Sequence, residues 1–328
     1  MKVTRLAELR ARRALAAAGL GDDTAPLTRV ESVTNEVWAK GDILVRVGGD
    51  IGNRLRREAA LASAIPPAVR YPKILAVGDD GGVEWLVTER VAGEPLVGCW
   101  SGLTEAGRRS AVGDLAAAVR ALHETTAPLG LPDARDAPHL LQLGDDPTRP
   151  LREGLDRARG LEHVDAGLID ETASFVERLA PALRPFASTT LIHGDLHFQN
   201  VLWDGSSVSA VLDLEFARMA PADLDLDVLL RFCALPFLFV PIGREHEVRP
   251  EQYIDVPSWF RDEYPALFDV PRLVDRLRIY AIAFDVQNLL ANPPRVPPSR
   301  LTRDHPHRRL VATMHFDSQI DLFERALR

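Results

Sequence analysis

Between Leu191 and Glu215 the sequence gathers residue types that can do chemistry: His193, Asp195, His197, Asn200, Asp213 and Glu215. Asn200-Val-Leu-Trp203 and Val208-Ser-Ala-Val-Leu212 are apolar runs around Asp204-Gly-Ser-Ser207, a hairpin signal. Folding that hairpin back sets Asn200 within a couple of residues of Asp213, and Asp195 falls on the loop that feeds the first strand. A carboxamide beside a carboxylate offers the few oxygen ligands that Mg2+ takes alongside phosphate oxygens. A further carboxylate on the loop can orient and deprotonate an acceptor hydroxyl, so the set suits phosphoryl transfer. A rival reading stays open on these residues alone. His193, Asp195 and His197 alternate as H-x-D-x-H, which also describes ligands of a catalytic metal in a hydrolase. The other histidines show no supporting spacing.

The elements that must position this stretch fall into two kinds. Residues 3–19 read as an Ala-rich helix, followed by strand-like segments at Leu27–Val33, Glu36–Lys40 and Ile43–Val47. Alternation puts Ile43, Val45 and Val47 on one face of the last strand and Arg46 on the other. Asn53–Ile65 reads as a helix with an inward stripe of Leu55, Ala59 and Ala62, and Glu58 on or beside it. A carboxylate near a buried face wants a cation, and Arg46 is the nearest candidate in sequence. The alternative is that Glu58 flares to solvent among Arg54, Arg56 and Arg57. Lys73–Val77 and Val83–Arg90 then pair around Asp79-Asp80-Gly81-Gly82, and Val91-Ala-Gly-Glu-Pro95 reads as a hinge.

Beyond the hinge the pattern turns helical. Thr104–His123 is amphipathic with Thr104 as N-cap, 131–150 reads as a loop, and Asp165–Leu183 as a further helix. Leu224–Ala234, Val270–Ala291 and Arg309–Leu327 complete the helical set. The expected organisation is therefore a small antiparallel β-sheet with one inserted helix over residues 1–91 and a larger, mainly helical part over 92–328.

Composition narrows the partners. The net charge of −8 speaks against nucleic acid, and no apolar run is long enough for a membrane span. The charged N-terminus lacks a signal-peptide segment, and Cys99 and Cys233 stand far apart without metal spacing, so a cytoplasmic location is expected. Residues 1–92 hold 14 basic and 12 acidic side chains, which leaves 25 and 35 for the rest. An acidic second part either draws a cationic small molecule into a cleft or is a solvated surface.

His193-Gly-Asp-Leu-His-Phe-Gln-Asn200 resembles the H-G-D-x-x-x-x-N catalytic loop of the aminoglycoside phosphotransferase and choline kinase-like superfamily, small-molecule kinases with a protein-kinase-like fold. Asp213 in Val211-Leu-Asp-Leu-Glu215 matches that family's metal-binding Asp, and Arg46 and Glu58 fall where its phosphate-binding Lys and helix partner are expected. Thr88-Glu-Arg-Val91 looks like the segment whose backbone holds adenine, which brings in Glu89 and Val91. The resemblance implies an α+β, two-lobed fold with Mg-ATP between an N-lobe (1–91) and a C-lobe (92–328). It implies Asp195 as catalytic base, Asn200 and Asp213 as Mg2+ ligands, and His193 as a structural member of the site. The acceptor would be a hydroxyl of an aminoglycoside, amino alcohol or sugar, and the acidic C-lobe leans towards a cationic one.

Three departures from the family pattern carry expectations of their own. Arg46 replaces Lys but keeps the charge and can bind phosphate oxygens bidentately. The loop Glu31-Ser-Val-Thr-Asn-Glu36 has no glycine, so Ser32 and Thr34 are its candidates for phosphate contact. Asp225 in Pro221-Ala-Asp-Leu-Asp-Leu-Asp227 reads as a structural hydrogen-bonder or helix cap. Glu215 is either a second-metal or substrate carboxylate or a charge ahead of the next segment, and His197 either a solvated loop residue or a substrate contact. A nucleotide-binding regulatory protein without catalysis is a further alternative, disfavoured because Asp195, Asn200 and Asp213 are all present.

Overall fold

The computed structural model describes residues 2–21, 26–30, 32, 35–48, 54–126, 140–187 and 190–327. The N-terminal helix α1 (Lys2–Ala17) leads to strands β1 (Thr28–Val30), β2 (Glu36–Lys40) and β3 (Ile43–Val47). Helix α2 (Arg54–Ala62) is inserted before β4 (Ile74–Asp80) and β5 (Val83–Glu89), and β6 (Glu94–Pro95), α3 (Leu96–Cys99) and α4 (Glu105–His123) follow. Next come α5 (Arg149–Arg159), α6 (Ala166–Leu179), β7 (Thr190–Ile192), β8 (Val201–Trp203), β9 (Val208–Val211) and β10 (Arg218–Ala220). The chain closes with α7 (Asp223–Ala234), α8 (Val256–Glu263), α9 (Leu273–Ala291), α10 (Pro306–Met314), α11 (Gln319–Leu322) and α12 (Glu324–Leu327). None of the described helices is long and apolar enough to cross a membrane.

Two compact units emerge. The first comprises Met1–Ala134, His197–Arg218 and Phe239–Val248. Its larger sheet has five strands in the order β1-β2-β3-β5-β4, each pair antiparallel. Ala7, Ala11, Ala14 and Leu15 form a helical stripe on α1 that packs against Trp38, Val45, Val47, Trp85 and Val87. Because side chains alternate along β3, burying Val45 and Val47 in that layer turns Arg46 to the opposite face. The β4–β5 hairpin closes on Gly81 and Gly82, both with positive φ, so the strands run on to Asp80 and Val83.

Helix α2 buries Leu55, Arg57, Glu58 and Leu61 rather than the expected Ala59 and Ala62. The stripe is rotated because Glu58 finds partners inside, as described below. Glu84 of β5 fixes the start of this helix: its buried carboxylate accepts the N–H of Leu55 at 3.0 Å and of Arg56 at 3.4 Å. Burial pushes the Glu84 carboxyl up, against those two bonds. On α4, Thr104 caps the first turn through Gly107 N–H, and Ala111, Val112, Leu115, Val119 and Leu122 are buried as the periodicity expects.

The second unit comprises Arg135–Leu196, Met219–Leu238 and Arg249–Arg328. At its centre α9 is buried on nearly all sides, from Leu277 and Tyr280 to Val286 and Leu289. Arg276 of α9 grips Asp223 of α7 with two bonds, at 2.6 and 2.9 Å, and Tyr280 donates to the same carboxylate at 2.9 Å. Helix α5 begins within the stretch that the sequence pattern marks as a loop. Its Leu151, Leu155 and Ala158 are spaced for one buried face, but the Pro/Asp/Gly-rich residues before it masked the start.

Where the sequence suggests one helix over Arg309–Leu327, the structure has α10, α11 and α12. Phe316 turns to φ +56°, and Ser318 and Asp321 form a capping box that restarts the chain. The expected α+β class is nevertheless present: an N-terminal antiparallel sheet with an inserted helix, then a mainly helical C-terminal region.

Candidate active site

The His193–Asp195 segment leaves β7, whose Leu191 and Ile192 are fully buried. Gly194 takes φ +83°, a turn that a side chain would strain. Asp225, in the first turn of α7, accepts both backbone N–H groups here, from His193 and from Gly194, each at 2.8 Å. A buried carboxylate satisfied by two amides is a rigid clamp. Asp225 is thus the structural hydrogen-bonder that its sequence context suggested. His193 accepts the Asp195 N–H at Nδ1, 3.2 Å, so its ring braces the loop from within.

In the first unit, β8 and β9 pair Val201 with Val211 and Leu202 with Ala210, and Leu212 N–H donates to Asn200 O at 2.8 Å. Asp204 secures the turn by accepting the N–H groups of Ser206 and Ser207. These local bonds bring Asn200 alongside the Leu212–Asp213 peptide. Asp213 itself sits at φ +63°, ψ +62°, a left-handed conformation that aspartate tolerates better than most residues. Asn200 Nδ2 lies 3.3 Å from His197 Nε2, so a hard cation would meet the carboxamide through Oδ1. His197 is buried and its ring centroid lies 4.8 Å from that of Phe239, so it is a packed residue, not a solvated one.

The densest electrostatics surround Arg46. Its Nη1 donates to Glu58 Oε1 at 2.7 Å and its Nη2 to Asp213 Oδ1 at 2.8 Å, with Glu215 Oε2 at 4.0 Å. Tyr71 OH donates to the same Glu58 Oε1 at 2.6 Å. Burial works against the Arg46 charge, but Glu58 and Asp213 outweigh it and hold the guanidinium more basic than usual. Glu215 is buried between Arg54 (3.6 Å) and Asn35 (3.4 Å), and Arg54 also lies over the Phe216 ring. Burial first, and Asp213 second, push the Glu215 carboxyl up to about 7.

Ser32 is exposed, and Thr34 lies outside the described residues. Glu89 is exposed and pairs with Lys73 at 3.3 Å, and Val91 is half-buried. The backbone N–H groups of Glu89 and Arg90 are taken by Lys73 O and Asp42 O. Nothing in the sequence around Tyr71 announces a buried partner; the pairing with Glu58 reveals it.

One carboxylate and one carboxamide, Asp213 and Asn200, form a donor set of the hard, sparse kind that Mg2+ accepts when phosphate oxygens complete its shell. The described residues contain no group of three or more His, Cys, Asp or Glu side chains placed to enclose a metal. His193 Nδ1 is engaged with the Asp195 amide, and His197 Nε2 lies against the Asn200 carboxamide.

The fold is that of small-molecule phosphotransferases related to the protein kinases. It matches a choline/ethanolamine kinase family protein from Mesorhizobium loti with a TM-score of 0.60, at 22% identity, over 98% of this chain and 99% of that one. Aminoglycoside 2'-phosphotransferase-IIIa, solved as its GDP complex, matches with a TM-score of 0.64 at 14% identity, over 94% and 97% of the two chains. A thermostable mutant of aminoglycoside phosphotransferase APH(4)-Ia, in ternary complex with ADP and hygromycin B, matches with a TM-score of 0.54 at 14% identity, over 97% of each chain. No curated protein matches the sequence. Residues 50–245 match the model of the phosphotransferase enzyme family, and the chain belongs to that family.

Proposed function

We propose that the protein is a kinase that transfers the γ-phosphoryl group of ATP to a hydroxyl of a small, cationic acceptor of the aminoglycoside, amino-sugar or amino-alcohol kind. The observation that carries this reading is the double engagement of Arg46, with Glu58 on one side and Asp213 on the other. A fixed cation beside the Asp213 carboxylate supports phosphate binding there, where its charge would meet that of the phosphates. The nucleotide complexes of the two aminoglycoside phosphotransferases named above support a nucleotide as donor.

In this reading residues 1–91 form the nucleotide-binding lobe and 92–328 the lobe with the acceptor site. The segment around Glu89 and Val91 faces adenine, and Ser32 and Thr34 lie on the phosphate loop. Asn200 and Asp213 are the residues that would hold Mg2+, whose charge would offset that of the phosphates. Arg46 binds phosphate oxygens. Asp195 orients the acceptor hydroxyl and takes its proton as the oxygen attacks phosphorus and the bond to the β–γ bridging oxygen breaks. Glu215, buried between Arg46 and Arg54, helps to set the Asp213 segment rather than to contact the acceptor. Cys99 and Cys233 are both free thiols, which suits a reducing cytoplasm.

A phosphoryl-transfer assay with ATP and GTP across aminoglycosides, amino sugars, choline and neutral sugars tests the proposal. Expected are turnover with a cationic acceptor and loss of about a hundredfold or more in kcat for Asp195→Asn, with nucleotide binding kept. Near wild-type turnover by Asp195→Asn would refute the mechanism. Zinc- or manganese-dependent hydrolysis without a nucleotide requirement would refute the reaction class.

A further inference from the structure

Glu58 is fully buried, and the pairing just described uses only one of its oxygens. Oε1 accepts both the Arg46 guanidinium and the Tyr71 hydroxyl, while Oε2, among the described residues, meets no hydrogen-bond donor. The carboxylate is therefore held by two bonds that converge on a single atom from two elements. Arg46 comes from β3, and Tyr71 from the segment between α2 and β4. A carboxylate held by Arg46 alone can turn about its last torsion and offer either oxygen, since that torsion is broad and nearly two-fold. A second donor on the same atom removes that freedom.

We propose that Tyr71 is a positioning residue for the phosphate-binding arginine, acting through Glu58. The chain of contacts runs Tyr71 to Glu58 to Arg46 to Asp213, each link between 2.6 and 2.8 Å. An arginine in this place needs such support more than a lysine does. Its planar fork serves two carboxylates at once, so a rotation of Glu58 tilts the whole plane and misaligns Nη2 as well as Nη1. Burial, together with Glu58, pushes the Tyr71 phenol well up, so it remains a proton donor over the working pH range. Tyr71 also lines an open pocket of about 460 Å3 with Ala59, Ala62 and Ile74, and phenylalanine in its place keeps the same ring there. The inference rests on the proposed role of Arg46 at the nucleotide phosphates.

Tyr71→Phe removes the donor and keeps the ring. The nucleotide KM is expected to rise about tenfold, the worth of one hydrogen bond to a charged group, while kcat and the acceptor KM move by less than about threefold. In the Glu58→Gln background the same change is expected to have little further effect, because a residue that acts through Glu58 has nothing left to act on. A loss of folding stability alone would instead add to the Glu58→Gln effect. A nucleotide KM within about twofold of wild type, or an undiminished effect in the Glu58→Gln background, overturns the proposal. The nitrogen-resolved NMR signals of the Arg46 guanidinium, recorded without nucleotide, separate this inference from the functional reading. Slow rotation in the wild type and averaging in Tyr71→Phe support Tyr71 as the positioning residue even if no nucleotide binds; unaltered signals refute it.

Discussion

Arg46 Nη2 donates to Asp213 Oδ1 at 2.8 Å across 167 residues of sequence, while Nη1 of the same side chain serves Glu58. An ammonium is a point charge, but a guanidinium presents a planar fork and can serve both carboxylates without leaving either. The arginine in this position is therefore fitted to a three-residue arrangement, with Glu58 held further by Tyr71.

Removing the fork should expose that dependence. Arg46→Met leaves the buried Glu58 carboxylate facing only Tyr71, and a broken buried pair costs about 3–5 kcal/mol. Urea unfolding measures it, and Glu58→Gln in the same chain should recover part of the loss. Arg46→Lys should unfold close to wild type and bind nucleotide about tenfold more weakly, since a single ammonium cannot span both partners. A loss below about 1 kcal/mol for Arg46→Met, the range of an exposed pair, would mean that the contacts contribute little.

Asp225 governs the loop that carries Asp195. Asn in its place keeps the shape but presents one amide donor to a backbone N–H, so one of the two bonds to His193 and Gly194 is lost. The expected cost is about 2 kcal/mol of stability, the penalty for a buried donor left unpaired. Activity should fall in kcat while nucleotide binding stays within about twofold, because the residues proposed to meet the phosphates lie elsewhere in the chain. Calorimetric nucleotide titration beside steady-state kinetics reads both quantities.

Gly93 has φ +130°, and a Cβ there would lie 2.8 Å from Ser209 Oγ and 2.9 Å from Trp203 O. Gly93→Ala should therefore push the β6 segment off the β8–β9 hairpin, where Glu94 pairs with Trp203. Both backbone strain and the close approach contribute, and a loss of about 2 kcal/mol or more is expected. Thermal unfolding tests it, with Gly98→Ala as the control, since a Cβ at Gly98 meets nothing within 4 Å.

The pH dependence of the hairpin follows from Asp204. Backbone N–H groups of Ser207 and Ser206 draw its carboxyl down from 3.8 to about 2. The folded chain thus holds the proton less well than the unfolded chain, so the Asp204 contribution is full above about pH 4 and fades as pH falls towards 2. The gap in melting temperature between wild type and Asp204→Ala should be constant from pH 7 to about 5 and shrink below about 4. A gap that widens on acidification would contradict the assignment.

Much of the site could be read directly from residue order. The β8–β9 hairpin announces itself by turn residues between apolar runs, so the nearness of Asn200 and Asp213 follows from contacts a dozen residues apart. Arg46 opposite Val45 and Val47 follows from strand alternation. Other features escaped for identifiable reasons. The Ser318–Asp321 cap that divides the C-terminal helices is a local signal obscured by a continuous helical period around it. The inward face of α2 lies one residue off its apolar stripe, because the Glu58 carboxylate has buried partners that the local pattern does not show.

The sequence by itself determined the α+β class, the loop with Asp195, and the hairpin with Asn200 and Asp213. All of these arise from periodicity and turn chemistry acting over a few residues. Only the tertiary structure decided which partners the charged groups take. Glu58 had several arginines within reach along the chain, yet its oxygen is shared by Arg46 and Tyr71. Asp225, 31 and 32 residues from the amides that it holds, became the clamp of the loop. Such choices depend on how separately formed strands and helices pack, and on the cost of leaving a buried charge or amide without a partner, which no local pattern encodes.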